Sequence, residues 1–259
     1  MNVSAYFERI GLPGDFPVTH TYDFLKEIQY RHVTTVPYEN LDILDGRPIS
    51  LQPEDLFDKI VTHHRGGYCF EVNGALAALL KELGFPVKNY FARFLRGESS
   101  IPVRRHRVLA VTAEDGIYLC DTGIGQSAPR WPLKLEEGTE QPQFGEAYRF
   151  RRDPFLGWVL CDLHKGQWRD FFSFTEEEQL DIDFAHSSFW CEHAPDSPFN
   201  KDPMLSIKTA DGRKTVDGRE YKIFVGDTVI HQEPDMDDAR FTEVLQKEFG
   251  LTWKPAKAK

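Results

Sequence analysis

Apolar residues at Val72, Leu76, Leu79, Leu80 and Leu83 recur at helical spacing, and Gly84 followed by Pro86 closes the run, which predicts a helix starting near Cys69. Residues 22–32 repeat the pattern through Phe24, Leu25 and Ile28, and residues 53–62 through Leu56, Phe57 and Ile60. In the latter, Pro53 and the acidic pair Glu54-Asp55 occupy places a first helical turn favours. A small helical unit over residues 1–85 is the simplest assembly. From about Val87 the texture changes to β-branched and aromatic runs punctuated by turn residues, at 107–112, 117–120, 155–160 and 167–174, so residues 86–195 read as antiparallel sheet or barrel. Residues 176–185 read as a short helix or linker. Ser197-Pro198-Phe199 opens a third region, 196–259, where 204–209 and 221–225 are expected to form a hairpin around Asp211-Gly212. A helix over 237–249 follows, ended by Gly250, and the tail 254–259 is expected to fray. The fold class is α+β.

At 259 residues, with 41% hydrophobic and 28% charged side chains, the chain suits one large domain or a few small ones packed together. No apolar run approaches the ~20 residues that span a bilayer. The first residues lack a basic segment followed by an apolar stretch, so a cytoplasmic protein without a membrane partner is expected. A formal charge of −10 argues against a general nucleic-acid binder. Two basic groups, Arg104-Arg105-x-Arg107 and the set Lys208, Arg213, Lys214, Arg219 and Lys222, are either solvated surface or a face for a small phosphorylated ligand. The cysteines at 69, 120, 161 and 191 show no C-x-x-C pairing and are expected to be free thiols. His186, Cys191 and His193 lack a fourth ligand at any common zinc spacing, so no metal is expected, and Phe189 and Trp190 between them read as core aromatics.

Cys69 lies in Arg65-Gly66-Gly67-Tyr68-Cys69-Phe70-Glu71-Val72-Asn73, where a glycine-softened turn would deliver a thiol to the first turn of a helix. Backbone N–H groups and the helix dipole favour a thiolate there, and a pKa of ~8.5 can fall by one to several units. The bland alternative is a buried structural cysteine. The glycines favour the reactive reading, because they suit a sharp turn and not a packed element.

A thiol nucleophile needs a base and a group that orients the base. His106 and Asp121 flank the turn signal Ala113-Glu114-Asp115-Gly116. His106, Val108 and Ala110 share one strand face, and a four-residue loop pairing Thr112 with Ile117 sets Asp121 opposite Val108. Asp121 is then on the face of His106 and about 7 to 8 Å away at the backbone, within reach of a hydrogen bond. A two-residue loop would keep the face with a wider gap, and a three-residue loop would reverse the face. His63-His64 competes for the role of base but reads as a helix end.

With these residues the chain resembles the arylamine N-acetyltransferases. The resemblance runs through Val36-Pro37-Tyr38-Glu39-Asn40-Leu41-Asp42, Leu56-Phe57-Asp58-Lys59-Ile60-Val61, the Cys69 run, His106-Arg107-Val108 and Asp121-Thr122-Gly123-Ile124-Gly125, in the family's order across the first half of the chain. It implies a helical bundle, a central antiparallel β-barrel and a C-terminal α/β lid around a cysteine-protease-like Cys69-His106-Asp121 core. It also implies acetyl-CoA as co-substrate, no bound cofactor, and an aromatic amine or hydrazine as acceptor in a ping-pong reaction. Backbone N–H groups near Cys69 and Gly123 are expected to hold the oxyanion. Val103, Gly123, Gly125 and Thr209 are expected to contact CoA, and Tyr38, Tyr68 and Phe70 the acceptor or the core. Glu39, Arg65 and Glu71 read as a structural ion-pair network. Thr122 and Ile124 depart from the family, which often carries valine or alanine and a bulkier aromatic there. A thiol hydrolase or transglutaminase-like acyl transferase uses the same chain order, and a noncatalytic binding protein on this fold is a third reading.

Overall fold

The computed structural model describes residues 1–253, so the expectation for the 254–259 tail lies outside the described residues. The first third folds as helices α1 (Val3–Arg9), α2 (Tyr22–Thr35), α3 (Leu41–Leu44), α4 (Pro53–Phe57) and α5 (Cys69–Glu82). The run predicted at 53–62 is helical throughout, but its second half, Asp58–Thr62, is wound as a π-helix. Leu76, Leu79 and Leu80 of α5 pack with Phe24, Leu25 and Ile28 of α2 in one apolar cluster. Burying each such side chain contributes about 1.5–3 kcal/mol.

Eight antiparallel strands follow: β2 (Val87–Phe94), β3 (His106–Ala113), β4 (Gly116–Cys120), β5 (Leu133–Lys134), β6 (Gln141–Gln143), β7 (Glu146–Asp153), β8 (Gly157–His164) and β9 (Gln167–Phe174). Here β1 denotes the short strand Tyr38–Glu39 of the first third. The sheet order is β5-β4-β3-β2-β9-β8-β7-β6, and it curls into a nearly closed barrel. Side chains and main chain bridge the seam: the Gln141 amide brackets the backbone of Lys134, the Gln143 amide brackets that of Trp131, and Glu137 and Phe150 form a backbone bridge. The strand expected at 155–160 begins at Gly157, because Asp153 accepts the N–H groups of Phe155 and Leu156 and holds them in a turn.

Residues 176–185 are neither a helix of their own nor a simple linker. A 3-10 turn at Asp181–Asp183 runs into α6 (Phe184–His193). Within α6, Phe189 is 63% exposed and stacks on His193, so it is not core; polar neighbours leave this face of the helix to solvent.

The last third adds β10 (Met204–Lys208), β11 (Gly212–Asp217), β12 (Glu220–Val225), β13 (Thr228–Glu233) and α7 (Asp238–Phe249). The expected hairpin partner of β10 is corrected: β11 pairs with it, and residues 221–225 pair on the far side of β11. Asp237 caps α7 and Gly250 ends it in the left-handed conformation, as the pattern predicts. Phe241, Val244, Leu245 and Phe249 of α7 pack on Leu205, Val216 and Tyr221. The other sheet face looks back at the barrel, and β1 joins this sheet at its β10 edge. The residues just upstream of the Cys69 turn are thereby stitched to the last third.

Candidate active site

The Arg65-Gly66-Gly67 turn is compact because other chain segments close on it. A Cβ on Gly66 would fall 1.9 Å from the Pro37 carbonyl oxygen, and one on Gly67 would fall 2.7 Å from Glu71 Cβ. Both glycines serve close approach. Glu71 accepts the Tyr68 N–H at 3.2 Å and pairs with Lys59 at 2.6 Å. Lys59 also reaches Asp42 at 2.8 Å, and Arg65 joins Asp42 at 3.0 Å to fully buried Glu39 at 2.7 Å. The network expected from Glu39, Arg65 and Glu71 therefore exists, extended by Asp42 and Lys59. One layer further down, Arg9 donates to the carbonyls of Ile60, His64 and Arg65.

On this floor Cys69 is the first residue of α5, 3% exposed, with its thiol directed at the Arg105 carbonyl at 3.7 Å. The thiol is therefore placed beside the residue that precedes His106. Burial pushes its pKa well up, Cys191 adds to that, the Arg107 backbone N–H opposes it, Asp121 raises it, and the Phe70 N–H opposes it. The sequence expectation of a lowered pKa is corrected: desolvation outweighs the helix terminus. A thiolate here requires that the proton pass to a group able to stay beside it as a cation.

Thr112 faces Ile117 as expected, and the ladder continues to Ala113–Gly116. The loop proper is thus two residues long. The wider gap expected of a two-residue loop is corrected: Ala113–Gly116 is the next pair of the ladder that holds Thr112–Ile117, so the shorter loop keeps the same register and the same separation. Asp121 follows the Leu109–Cys120 pair on the His106 face, and His106 Nε2 lies 2.7 Å from Asp121 Oδ2. Phe172 meets the imidazole edge-on. Asp121 has no exposure, and its Oδ1 accepts from Asn73 Nδ2 at 2.9 Å and from the Gly123 N–H at 2.8 Å. The Gly123 N–H is therefore committed to the carboxylate and unavailable to an oxyanion, contrary to expectation.

Asn73, one turn after Cys69, uses its whole amide. It donates to the Arg107 carbonyl at 2.6 Å and to Asp121, and accepts from the Thr122 N–H at 2.8 Å and hydroxyl at 3.0 Å. It ties the Cys69 helix to the His106 strand and the Asp121 loop. Sequence reasoning passed over it, although its place four residues after Cys69 on one helix face was a usable signal. Gln29, which accepts the Asp121 N–H at 3.2 Å, carried no signal at all. Gly123 permits all this: a Cβ there would meet Cys69 Cα at 2.7 Å.

Cys69 and His106 open onto one cavity of about 540 Å³ between the barrel and the last sheet. Tyr38, Gly123, Ile124, Gly125 and Phe199 line it. Tyr68 and Phe70 do not. They flank Cys69 in sequence, so along the helix they point to other sides; both are fully buried, Tyr68 bonded to the Ser188 hydroxyl at 2.5 Å. Val103 is 55% exposed on the β2–β3 connection, off the lining. Thr209 sits in the β10–β11 turn, also off the lining, its N–H on the Gly212 carbonyl and its own carbonyl taken by Arg130. Of the basic groups, Arg105 and Lys222 line the cavity. Arg107 is buried on Asn89 and Asp181, and Lys208 on Glu146, its ammonium pushed down by burial to about 8. The four cysteines are free and buried. Among the described residues no three His, Cys, Asp or Glu side chains are grouped to hold a metal ion, and no helix is long and apolar enough to cross a membrane.

A family profile described as N-acetyltransferase matches residues 21–258. The arylamine N-acetyltransferase of Mycobacterium tuberculosis is 34% identical over 97% of this chain and 89% of its own length. That of Escherichia coli is 32% identical over 98% and 90%. Among solved structures, the arylamine N-acetyltransferase of Salmonella typhimurium superposes with a TM-score of 0.91 at 30% identity, covering 96% of this chain and 90% of that one. The Mycobacterium marinum enzyme in complex with CoA does so at 0.87 and 31%, covering 96% and 92%. On a match this long in both sequence and structure, the chain belongs to the arylamine N-acetyltransferase family.

Proposed function

We propose that the protein moves an acetyl group from acetyl-CoA to a small aromatic amine or hydrazine through an acetyl-Cys69 intermediate. The observation that carries this reading is the joint opening of Cys69 and the His106–Asp121 pair onto one cavity, on a fold shared with an enzyme solved in complex with CoA. In the division into bundle 1–85, barrel 86–195 and lid 196–259, the bundle carries the nucleophile, the barrel its base and orienter, and the lid the cavity's roof. The buried thiol passes its proton to His106, and Asp121 holds the resulting imidazolium through Nε2. The thiolate attacks the acetyl carbonyl, and amides at the start of α5 hold the oxyanion. The tetrahedral species collapses to acetyl-Cys69 as the CoA sulfur leaves with a proton from His106. One thioester replaces another, so the acyl group keeps its reactivity.

CoA departs, and an aromatic amine, uncharged at neutral pH, attacks the acetyl carbon. His106 takes the amine proton as the C–S bond breaks. Tyr38 and Phe199 offer flat apolar contacts to the acceptor, and Gly123 and Gly125 let the donor pass close to the wall. Four free thiols suit a reducing cytoplasm. Incubation with acetyl-CoA followed by intact-mass analysis should show one acetyl group per chain, lost on adding an aniline and never formed by Cys69→Ala. A folded chain that gains no acetyl group contradicts the proposal and leaves the hydrolase or binding readings.

A further inference from the structure

The β4–β5 ladder ends at the pair Leu119–Leu133. Between them the chain leaves the sheet and forms a wall of the cavity through residues 123–127. Backbone without ladder partners must find others or remain unsatisfied. Gln29 of α2, 1% exposed, supplies them near both ends: its Oε1 accepts the Asp121 N–H at 3.2 Å and its Nε2 donates to the Pro129 carbonyl at 2.8 Å. Gln143 makes a chemically similar clasp on Trp131, accepting its N–H at 2.7 Å and donating to its carbonyl at 3.2 Å. Of the two, Gln29 is the one that holds a residue hydrogen-bonded to the imidazole.

We propose that Gln29 is a positioning residue for acetyl transfer, fixing the main chain of Asp121 and holding the cavity wall to the bundle. The proposal rests on the roles given above to Cys69, His106 and Asp121. Its physical basis lies in how the carboxylate is held. Asn73 and the Gly123 N–H pin Oδ1, whereas Oδ2, the oxygen facing His106, has the imidazole as its partner. With one oxygen pinned, any drift of the Asp121 main chain swings the other. Gln29 prevents that drift, and misplacement of a catalytic group by about 1 Å lowers rates on the order of a hundredfold.

The test compares Gln29→Met with Gln143→Met, each close in length and stripped of both polar ends. Cys69 acetylation is followed by intact mass in a single turnover at saturating acetyl-CoA. Gln29→Met should acetylate roughly ten- to a hundredfold more slowly, and Gln143→Met within about twofold of the parent, while both lose similar thermal stability. Gln29→Glu adds a readout that a purely structural role would not move. Protonated, its carboxyl accepts from the Asp121 N–H and donates to the Pro129 carbonyl as the amide does; ionised, it cannot donate and it faces the Asp121 carboxylate. Its acetylation rate relative to the parent should therefore approach one at acid pH and fall as pH rises. Parent-like acetylation by Gln29→Met, equal slowing in Gln143→Met, or a flat relative profile for Gln29→Glu overturns the proposal. A parent chain that forms no adduct overturns the reading of Cys69 as nucleophile, so the two failures are distinct.

Discussion

Beneath Cys69 the chain stacks acidic and basic side chains that all have partners, with Glu39, Arg65, Asp42, Lys59 and Glu71 in continuous contact; burial pushes the Glu71 carboxyl up to about 7 against the pull of Lys59. Above it, the sheet of the last third offers the cavity a different polar surface. Tyr38, Ser206, Thr215 and Lys222 lie in one cross-strand row and line the cavity together. Ser206 Oγ is buried and has no hydrogen-bond partner among the described residues. The floor is finished without substrate, so its electrostatics are preorganised. The roof, among the described residues, leaves the Ser206 hydroxyl without a partner.

The contrast is open to direct attack, most strongly at the floor. Arg65→Met leaves Glu39, which has no exposure, as an uncompensated buried charge. Breaking a buried pair this way is expected to cost about 3–5 kcal/mol, read as a lowered urea midpoint. Arg65→Met combined with Glu39→Gln should recover part of the loss. If the single variant is as stable as the parent, the network is not what holds the Cys69 turn.

The next effect comes from the layer below, through pH. His32 is fully buried with Nε2 on the Tyr6 hydroxyl at 2.9 Å, and burial, aided by the Arg9 guanidinium, pushes its pKa down to about 3. The unfolded chain takes up this proton near pH 6.5 while the folded chain refuses it until about 3. Stability is therefore whole above 6.5 and falls as pH drops toward 3, by about 1.4 kcal/mol per pH unit. His32→Gln should flatten the slope of unfolding free energy against pH by one proton over that window. An unchanged slope would mean that His32 is charged in the folded protein.

The floor was far more legible in the sequence than the roof. The start of α5 follows from a turn-then-periodicity pattern, and the His106–Asp121 face follows from Thr112 opposing Ile117, because strand parity is rigid. By contrast β11, Gly212–Asp217, is rich in charge and half-buried, and β13, Thr228–Glu233, is almost wholly exposed. Neither has the apolar alternation that marks a strand, so the expected hairpin skipped one and missed the other. Tyr68 and Phe70 show the opposite hazard: proximity in sequence to the nucleophile is not proximity in space on a helix. Gln29 shows a third limit, since a glutamine on an amphipathic helix looks like solvated surface until a distant loop supplies its two partners.

The smallest expected stability effect separates floor from roof most sharply. Ser206→Ala removes a hydroxyl that has no hydrogen-bond partner among the described residues, so unfolding free energy should move by less than about 0.5 kcal/mol. If the hydroxyl awaits a substrate atom, losing it forfeits one hydrogen bond of about 0.5–1.5 kcal/mol, which raises a KM roughly two- to twelvefold. Steady-state kinetics with donor and acceptor varied separately would show which substrate it meets, because a ping-pong scheme assigns each its own KM. A stability loss like that of Arg65→Met would make Ser206 part of the framework and erase the distinction. Unchanged constants for both substrates would leave the floor preorganised but give the roof hydroxyl no substrate to meet.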